Sequence, residues 1–421
     1  MIRRPPRSTQ SRSSAASDVY KRQVLYVLPT GGGKTVVFAE IARLSLIRKK
    51  RVVIFVHRKE LFYQTKNRLN KEDIPCKILK PDSFSQLNLQ HEESQYVYIS
   101  MVQTSAKVDI QQFHLAIFDE AHHMSAKTYK NILKRNEHMK VVGVTATPTY
   151  ESQKMFDTVI YGPSTKELIS MGYLSPFKVL IPKTLFNAAE ATVKSHDFDM
   201  NEVTKILSGK KIYGDIVKVF NEIIPDKTCI VFCSSIEHCH TVNDILNKNG
   251  IASRMVTGNM SMESRTQNLQ MLAEKTIRAV VSCDAITEGV DVPSVESCIL
   301  LRPTMSRVVY IQQVGRVLRV SKDKDMAIIV DLVGNVMRHG LPDEPFIPKE
   351  GRKKKSNQNT ETSKNNVKIC KNCFAAFDSQ QHNFCPYCGY AEIGKRPRKN
   401  MTYVKDDIVE INKEFVKPEL W

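Results

Sequence analysis

The feature that most constrains the fold is a short apolar run that leads directly into a glycine-rich turn. The run VLYVLP begins at Val24, the turn TGGGKT covers Thr30–Thr35, and the residues that follow are compatible with a helix. Glycines let backbone N–H groups converge on phosphate oxygens, and the start of a helix adds its dipole. Lys34 would neutralise the β- and γ-phosphates of a nucleotide, and the Thr35 hydroxyl would bind Mg²⁺. The junction therefore predicts a nucleotide-binding unit made by Gly31, Gly32, Gly33, Lys34 and Thr35.

Short apolar runs alternate with longer polar segments along most of the chain. A first series comprises Val52–Val56, Tyr96–Met101, Leu115–Phe118 and Val141–Val144. A second series with a similar rhythm comprises Cys229–Phe232, Ala279–Val281, Cys298–Leu301 and Ala327–Val330. This alternation is typical of parallel strands covered on both faces by crossover helices. It predicts two α/β units. Proteins with many different functions have this alternation, so it does not indicate a function by itself.

An acidic pair follows one of these runs, in the segment IFDEAHH at Ile117–His123. Two carboxylates at the end of an apolar strand are costly unless a metal ion or a basic group compensates them. Asp119 is placed to hold Mg²⁺ through water, and Glu120 to orient and deprotonate an attacking water. His122 has two interpretations: a residue that couples this site to a neighbouring motif, or a helix-capping or core histidine.

A basic segment in the second half, YIQQVGRVLR at Tyr310–Arg319, has the pattern Q-x-x-G-R-x-x-R. Its members are Gln312, Gly315, Arg316 and Arg319. On a helix, arginines four and seven residues after the glutamine can lie on one face and reach a common γ-phosphate. Alone, the segment would be an ordinary amphipathic basic helix; together with the turn and the acidic pair it predicts arginine fingers.

These segments resemble the motifs of the superfamily 2 DEAD/DEAH-type helicases, over roughly Val24 to Asn335. Six motifs stand in the family's order: PTGGGKT, VHRKEL, DEAH, TATP, TEGVDVP and QQVGRVLR, which begin at Pro29, Val56, Asp119, Thr145, Thr287 and Gln312. The resemblance implies two tandem RecA-like domains that bind ATP and Mg²⁺ in the cleft between them.

The resemblance also implies roles for residues outside the phosphate turn. Thr145 and Thr147 would couple the ATP state to domain closure, and Gly289 and Asp291 would link nucleotide to nucleic acid in the second domain. First-domain contacts to the nucleic-acid backbone would come from His57, Arg58 and Thr104, with Ser234 as a candidate in the second domain.

DNA is favoured over RNA as the track. TATP, GRVLR and the connector segment Tyr161–Phe177 look like the bacterial and phage DNA-directed branch of the family. We therefore expect an ATP-dependent DNA helicase or translocase. Two alternatives stay open: an RNA helicase of the DEAH type, and a non-unwinding DNA translocase that serves a partner nuclease. The upstream glutamine with which family members contact adenine would fall in the first 23 residues, which are expected to be non-native, so neither Gln10 nor Gln23 is assigned that role.

Four of the ten cysteines form two C-x-x-C pairs near the C-terminus, Cys370–Cys373 and Cys385–Cys388. Four thiolates at this spacing complete a tetrahedral Zn²⁺ shell, with disulfides as the alternative. We expect a zinc ribbon whose small core contains Phe374, Phe377, Phe384 and Tyr387. The ribbon or the basic tail beyond it is a candidate contact for nucleic acid or a protein partner.

Net charge and hydropathy limit which partners and which cellular environments suit the chain. The formal net charge of +18 indicates a polyanionic partner or a solvated basic surface. No apolar run approaches the length of about 20 residues that spans a bilayer, and no signal peptide is recognisable. We therefore expect a cytoplasmic protein without membrane contact.

The expected architecture is α/β, with two tandem RecA-like parallel-sheet domains and a small C-terminal zinc ribbon. The first 23 residues resemble translated sequencing-adapter read-through, so that segment is expected to be non-native or disordered. The predicted divisions are 1–23 for this segment, 24–160 for the ATP-binding domain, 161–211 for a connector, 212–340 for the second RecA-like domain, 341–368 for a flexible basic linker, 369–392 for the zinc ribbon and 393–421 for a basic tail.

Overall fold

The computed structural model describes most of the chain between residues 23 and 391. The described residues are 23–57, 59–79, 95–105, 112–125, 127–136, 138–181, 191–194, 197–208, 216–283, 295–345 and 366–391. Residues 1–22, most of the predicted linker and the basic tail lie outside this description. Arg58, Gly289, Asp291 and the side chain of Thr104 also lie outside it.

Among the described residues, seven parallel strands form the first sheet, in the order β3-β4-β2-β5-β6-β1-β7. They are β1 (Gln23–Val27), β2 (Val52–Val56), β3 (Cys76–Ile78), β4 (Val97–Met101), β5 (Leu115–Asp119), β6 (Lys140–Thr145) and β7 (Thr158–Tyr161). The helices of this first domain are α1 (Lys34–Ile47), α2 (Lys59–Lys71), α3 (Val102–Ser105), α4 (Lys127–Arg135) and α5 (Tyr150–Gln153), and a 3₁₀ turn covers Ala121–Ser125.

Both faces of the first sheet are buried. Along β2, Val53 and Phe55 pack into one hydrophobic cluster, whereas Val52, Ile54 and Val56 pack into another. All five residues are fully inaccessible to solvent. Successive side chains of a strand point to opposite faces, so a continuous apolar run such as VVIFV requires cover on both sides. The helices supply that cover, as the apolar runs predict.

The second sheet has the order β12-β13-β11-β14-β15-β8-β17-β16 among the described residues. Its strands are β8 (Phe177–Leu180), β11 (Cys229–Phe232), β12 (Ser253–Thr257), β13 (Ala279–Cys283), β14 (Ser297–Leu300), β15 (Ala327–Asp331), β16 (Val367–Ile369) and β17 (Ala375–Asp378). The first six in this order are parallel, and β17 and β16 are antiparallel additions at one edge. A separate hairpin joins β9 (Val193–Lys194) and β10 (Asp197–Phe198).

The helices of the second domain are short and lie on both faces of its sheet. They are α6 (Thr165–Ser170), α7 (Met200–Ser208), α8 (Ile236–Lys248), α9 (Met262–Ala273), α10 (Arg307–Val314) and α11 (Asn335–His339), with a π-helical turn at Val219–Ile223. Ile230 and Phe232 of β11 pack into one cluster, and Cys229 and Val231 into the other. In the part of the chain that is described, no helix combines the length and apolar character needed to cross a bilayer.

Much of the predicted connector 161–211 is integrated into the second domain. Strand β8 pairs in parallel with β15, with Phe177 opposite Ala327. Val203 and Leu207 of α7 are fully buried in the same core as Phe232. Residues 162–176 therefore connect β7, at the edge of the first sheet, to β8, the last parallel strand of the second sheet.

The cysteine-rich hairpin continues the second sheet. Ala375 and Ala376 of β17 pair antiparallel with Leu180 and Val179 of β8, and the Ile181 N–H donates to the Phe374 carbonyl at 3.1 Å. Inside the hairpin, Phe377 is buried against the cysteines.

Phe384 departs from the expected core of the ribbon. The expectation is wrong for this residue, because its side chain is 54% exposed. The buried cluster of the ribbon consists of Cys370, Ala375, Phe377 and Cys385, and it does not include Phe384. Tyr387 is also outside it, with 36% of its side chain exposed.

Candidate functional site

The glycine-rich turn lies at the carboxyl end of β1. Gly31 (φ 81°) and Gly33 (φ 88°) adopt left-handed conformations that residues with a side chain disfavour. Gly33 is the N-cap of α1, and no described side chain caps this helix start. Its first N–H groups can therefore point at an anion, as phosphate binding requires. Lys34 and Thr35 follow as the first two residues of the helix.

The acidic pair stands where β5 ends. Asp119 is 6% exposed and accepts a hydrogen bond from the Glu120 N–H at 3.0 Å. Glu120 itself has φ 50°, a strained value of the kind found at functional sites. Burial, and then the nearby Glu120 carboxylate, raise the pKa of Asp119 to about 6, against the opposing charge of Lys34. Lys34 Nζ lies 3.7 Å from Glu120 Oε1. The buried carboxylate of Asp119 and the partly buried one of Glu120, beside one ammonium, fit a site for a divalent cation, which Asp119 and Thr35 would hold.

His122 joins the acidic pair to the TATP motif. Its Nδ1 lies 3.2 Å from Glu120 Oε2 and 3.2 Å from Thr145 Oγ1. Thr145 Oγ1 in turn accepts the Thr147 N–H at 3.2 Å. The side chains of His122, Thr145 and Thr147 are all buried. His122 is therefore buried, as the interpretation as a core histidine expects, and it is also linked to Glu120 and Thr145. Its role in coupling the two motifs stays a prediction.

A stack of histidine rings extends from this point towards the predicted nucleic-acid contacts. The His122 and His123 ring centroids are 4.1 Å apart, and those of His123 and His57 are 4.5 Å apart. Gln103 donates through Nε2 to the His57 carbonyl at 3.3 Å. Sequence reasoning missed His123 and Gln103, because a ring contact and a bond to a backbone carbonyl leave no motif.

The second domain contributes its arginines to the same cleft. Arg316 and Arg319 line a cleft of about 530 Å³ together with the phosphate turn, Asp119 and Glu120. The prediction that both arginines lie on a helix is wrong, because α10 ends at Val314 and the chain continues as a turn. Gln312, on the helix itself, is 5% exposed.

Close contact with the first domain explains the glycine of this motif. A Cβ on Gly315 would lie 2.5 Å from Thr30 Cγ2, so a side chain there would push the two domains apart. A Cβ on Gly31 would lie 3.0 Å from Leu174 Cδ2 and 3.4 Å from Arg319 Cγ. Glycine at both positions therefore lets the arginine segment lie against the phosphate turn.

Two residues of the predicted connector hold the arginine segment in place. Leu174 pairs with Arg319 in an antiparallel bridge, and the Ser175 N–H donates to the Leu318 carbonyl at 2.7 Å. Ser175 Oγ also donates to the Arg319 carbonyl at 3.2 Å. Neither residue was predicted as functional, since their partners lie more than 140 positions away in the sequence.

Lys324 is a further site residue that the sequence did not indicate. Its Nζ donates to the carbonyls of Val295 at 2.9 Å and Arg319 at 2.8 Å, and also to that of Val317. The residue is 8% exposed, and burial lowers its pKa to about 8. The ammonium group therefore ties the backbone that carries Arg319 to the strand that follows the TEGVDVP motif.

Ser234, a predicted nucleic-acid contact, is 3% exposed. Its Oγ lies 2.9 Å from His238 Nδ1 and 2.9 Å from Thr204 Oγ1. Burial lowers the pKa of His238 to about 4, so this ring is neutral near pH 7. In this conformation the hydroxyl serves packing between α7 and α8, and its contact with nucleic acid stays a prediction.

The four cysteines of the two C-x-x-C pairs come together, with all Sγ atoms within 4.8 Å of one another. Cys370 and Cys388 are 3.6 Å apart at sulfur, as are Cys373 and Cys385. Sulfurs around a tetrahedral zinc ion with Zn–S bonds of about 2.3 Å are about 3.8 Å apart, whereas a disulfide needs about 2.05 Å. The Tyr390 N–H lowers the pKa of Cys388 to about 6 and so favours its thiolate, whereas burial raises the pKa of Cys373 to about 12. The geometry fits a four-thiolate metal site.

Comparison with known families places this geometry in context. The family described as "Type III restriction enzyme, res subunit" matches residues 6–150. The family described as "Helicase conserved C-terminal domain" matches residues 213–321. The first match covers the phosphate turn and the acidic pair, and the second covers the arginine segment. The order of the two domains is therefore that of the predicted motifs.

Individual proteins with similar sequences include a "51.5 kDa protein" of a Lactococcus phage (isolate 7-9), which is 28% identical over 92% of this chain and 82% of its own length. The "Putative ATP-dependent helicase IRC3" of Saccharomyces cerevisiae is 27% identical over 73% of this chain and 48% of its own. The chain thus spans about half of the yeast protein.

Among solved structures, an "ATP-dependent Type ISP restriction-modification enzyme LlaBIII bound to DNA" aligns with 79% of this chain and 28% of its own, with a TM-score of 0.57 and 18% identity. At that identity the likeness shows the fold, and it agrees with two tandem RecA-like domains.

Proposed function

Because the chain belongs to the DNA-directed branch of the superfamily 2 helicases, we propose that it hydrolyses ATP between its two domains and uses the cycle to move along DNA. One observation carries the proposal. A single cleft brings the phosphate turn and acidic pair of the first domain to the arginines of the second domain, Arg316 and Arg319. Neither domain alone has both halves of this chemistry.

Each group of the first domain has a step to perform. The turn N–H groups and Lys34 bind the phosphates, and the 3.7 Å ion pair between Lys34 and Glu120 opens as phosphate replaces the carboxylate. Glu120 then orients the attacking water and accepts its proton. Bound Mg²⁺, held by Thr35 and Asp119, would neutralise charge on the phosphoryl oxygens.

The second domain responds to the nucleotide through its arginines. Arg316 and Arg319 stabilise the charge that develops on the transferred phosphoryl group, an effect worth about 10³–10⁵ in rate. Because they belong to the other domain, they favour the closed cleft only while the γ-phosphate is present. Closure and opening would move the two domains in turn along the track.

Three features support DNA as that track. The chain carries a net charge of +18, which suits a phosphate backbone. One family match is to a restriction-enzyme subunit, and the structural neighbour is described as bound to DNA. An RNA helicase of the DEAH type and a non-unwinding translocase that serves a nuclease are the alternatives.

We further propose that the four cysteines hold Zn²⁺. The support is the mutual approach of the four sulfurs and the hydrogen bond that favours the Cys388 thiolate. The ion would hold the hairpin together where few apolar residues are available to do so. Nucleic acid or a protein partner would then contact the ribbon from its exposed side.

ATP turnover tests the motor directly. The rate is measured with no nucleic acid, with single-stranded DNA and with single-stranded RNA, on the wild-type chain and on Glu120→Gln. Loss of the general base should lower the DNA-stimulated rate by about 10²–10⁴-fold. Glu237→Gln, an exposed glutamate on α8, is the matched control and should keep wild-type turnover.

Each result has a defined meaning. Stimulation by RNA alone would overturn the DNA assignment, and turnover that survives in Glu120→Gln would overturn the assignment of the base. Strand displacement by a chain that DNA stimulates would indicate a helicase. Stimulation without displacement would favour the translocase.

A further inference from the structure

We infer that Tyr173 stacks on the base of the bound nucleoside triphosphate, an inference that rests on the proposed ATPase function. None of the six motifs quoted above assigns a contact to the base. Tyr173 lies in the segment between the two domains, three residues after α6. It lines the same cleft as Lys34, Glu120 and Arg319.

Exposure of the ring is the first observation. Tyr173 is 67% exposed, the highest value among the large apolar side chains that the structure describes. Leaving an aromatic ring in water forfeits burial worth about 25 cal/mol for each Å². A ring that is exposed inside a ligand cleft is therefore a candidate to be covered by the ligand.

The backbone beneath the ring is fixed, which is the second observation. The Tyr173 N–H donates to the Leu168 carbonyl at 2.8 Å, at the end of α6. Gly172 makes the turn with φ 76°. The next residue, Leu174, is buried and lies against Gly31 of the phosphate turn. Since adjacent Cα atoms are about 3.8 Å apart, Tyr173 is held beside the phosphate turn.

Three further apolar residues line the cleft, of which Leu61 is buried and the other two are exposed. Val36, in the first turn of α1, is 44% exposed, and Val320, one residue after Arg319, is 47% exposed. Ligand sites for nucleotides combine apolar walls for the base with a few placed charges for the phosphates. Tyr173, Val36 and Val320 are the apolar walls, and Lys34 and the arginines are the charges.

Exposure alone would not carry the inference. Tyr63 and Tyr161 are 54% and 57% exposed, but neither lines the cleft. The Tyr161 hydroxyl also accepts a hydrogen bond from Gln153 at 2.6 Å. Tyr173 is the described tyrosine that combines an exposed ring, a fixed turn and a place beside the phosphate site.

Comparing the affinities for two ligands, one with a base and one without, separates the contribution of the base from that of the phosphates. Binding of ATP and of inorganic tripolyphosphate, which has no base, is measured on the full chain by calorimetry. Tyr173→Ala should weaken ATP binding about 10-fold, within the range for one lost base–aromatic stack, and leave tripolyphosphate binding unchanged. Tyr173→Phe should bind both ligands as the wild type does, since it keeps the ring. Tyr63→Ala is the matched control for loss of an exposed tyrosine.

Several outcomes would overturn the inference. They are equal weakening of both ligands in Tyr173→Ala, unchanged ATP binding in that variant, or weakened ATP binding in Tyr63→Ala. A loss in Tyr173→Phe as large as in Tyr173→Ala would also oppose stacking, because the ring is still present. If the wild-type chain bound neither ligand, the proposed ATPase function itself would fail. If instead the wild-type chain bound ATP and Tyr173→Ala bound it equally well, only the stacking inference would fail.

Discussion

At the scale of single residues, Lys324 shows how a buried charge can organise a catalytic segment. Its ammonium group donates to three backbone carbonyls, two of which belong to the segment that carries Arg319. Burying an ammonium group is costly unless its donors are satisfied, and three carbonyl acceptors at one point meet that requirement. We expect Lys324 to be a positioning residue for the arginine finger.

Replacement of Lys324 by Met should lower the kcat of ATP hydrolysis about 10–100-fold, with a smaller effect on the KM for ATP. The reason is that the finger acts in the transition state and loses rate when misplaced by about 1 Å. Lys324→Arg keeps a cationic donor and should restore most of the rate. Steady-state kinetics on both variants would test this; equal losses in kcat and stability for Met and Arg would indicate a purely structural role.

The pH profile gives a second test of the same residue. Burial is the main cause that lowers the pKa of Lys324 to about 8; Cys298 and Glu296 favour its charged form, whereas Arg319 and Lys227 oppose it. The charged donor is present below that pKa and is lost as the pH rises through it. We therefore expect kcat to fall above about pH 8 in the wild type and to stay level in Lys324→Arg, whose guanidinium remains charged. A fall of equal size in both would contradict the assignment.

At the scale of elements, the pairing of β17 with β8 joins the cysteine-rich hairpin to the motor. The Tyr387 hydroxyl donates to the Phe177 carbonyl at 3.2 Å, and Lys166 of α6 donates to Gln381 at 2.7 Å. The same helix α6 carries Leu168, which lies against Gly32 of the phosphate turn. The ribbon therefore supports the edge of the second sheet and the helix beside the nucleotide site.

Removal of zinc should accordingly destabilise more than the ribbon. A zinc-selective chelator, or Cys373→Ser, should lower the melting temperature of the main unfolding transition by about 5 °C, because β8 loses its edge partner. The change in melting temperature is measured by thermal unfolding in the absence of Mg²⁺. Cys76→Ser, in the first domain and outside the cluster, should respond to the chelator as the wild type does. A main transition that the chelator leaves unchanged would show that the hairpin and the sheet are energetically independent.

At the scale of the whole molecule, the basic charge and the two-domain cleft determine how the chain meets its track. A net charge of +18 favours any polyanion, whereas sequence recognition would require base contacts that no motif of this chain supplies. The predicted first-domain contacts, His57, Arg58 and Thr104, are of the kind that bind phosphates. We expect affinity for DNA to depend on salt and to be nearly independent of base sequence.

Salt titration of single-stranded DNA binding, followed by fluorescence anisotropy, would test this expectation. The logarithm of the affinity should fall linearly with the logarithm of salt concentration, by about 0.7 for each phosphate contacted. Arg58→Ala should reduce the magnitude of that slope by about 0.7 and act equally on two unrelated sequences. Lys248→Ala, an exposed residue at the end of α8, is the control. A slope that Arg58→Ala leaves unchanged would remove Arg58 from the interface.

Features whose chemistry is local could be predicted from the amino-acid sequence. The glycine-rich turn, the acidic pair after an apolar strand and the C-x-x-C pairs each need a few neighbouring residues, so their spacing predicts their structure. The parallel strands of the two sheets followed from the apolar runs, since strands such as VVIFV must be covered on both faces.

Interactions between segments that are distant in the sequence became visible only in the folded chain. The helix before the arginines ends at Val314 because Gly315 packs against Thr30 and the chain beyond it pairs with Leu174. Lys324 and Ser175 acquire their importance from contacts with remote segments, and Tyr173 from its place in a cleft that remote segments line. Backbone carbonyls look alike in every sequence, and an exposed tyrosine is unremarked until the fold brings it to a cleft. Pairing across such distances depends on the packing of both domains, which no local spacing records.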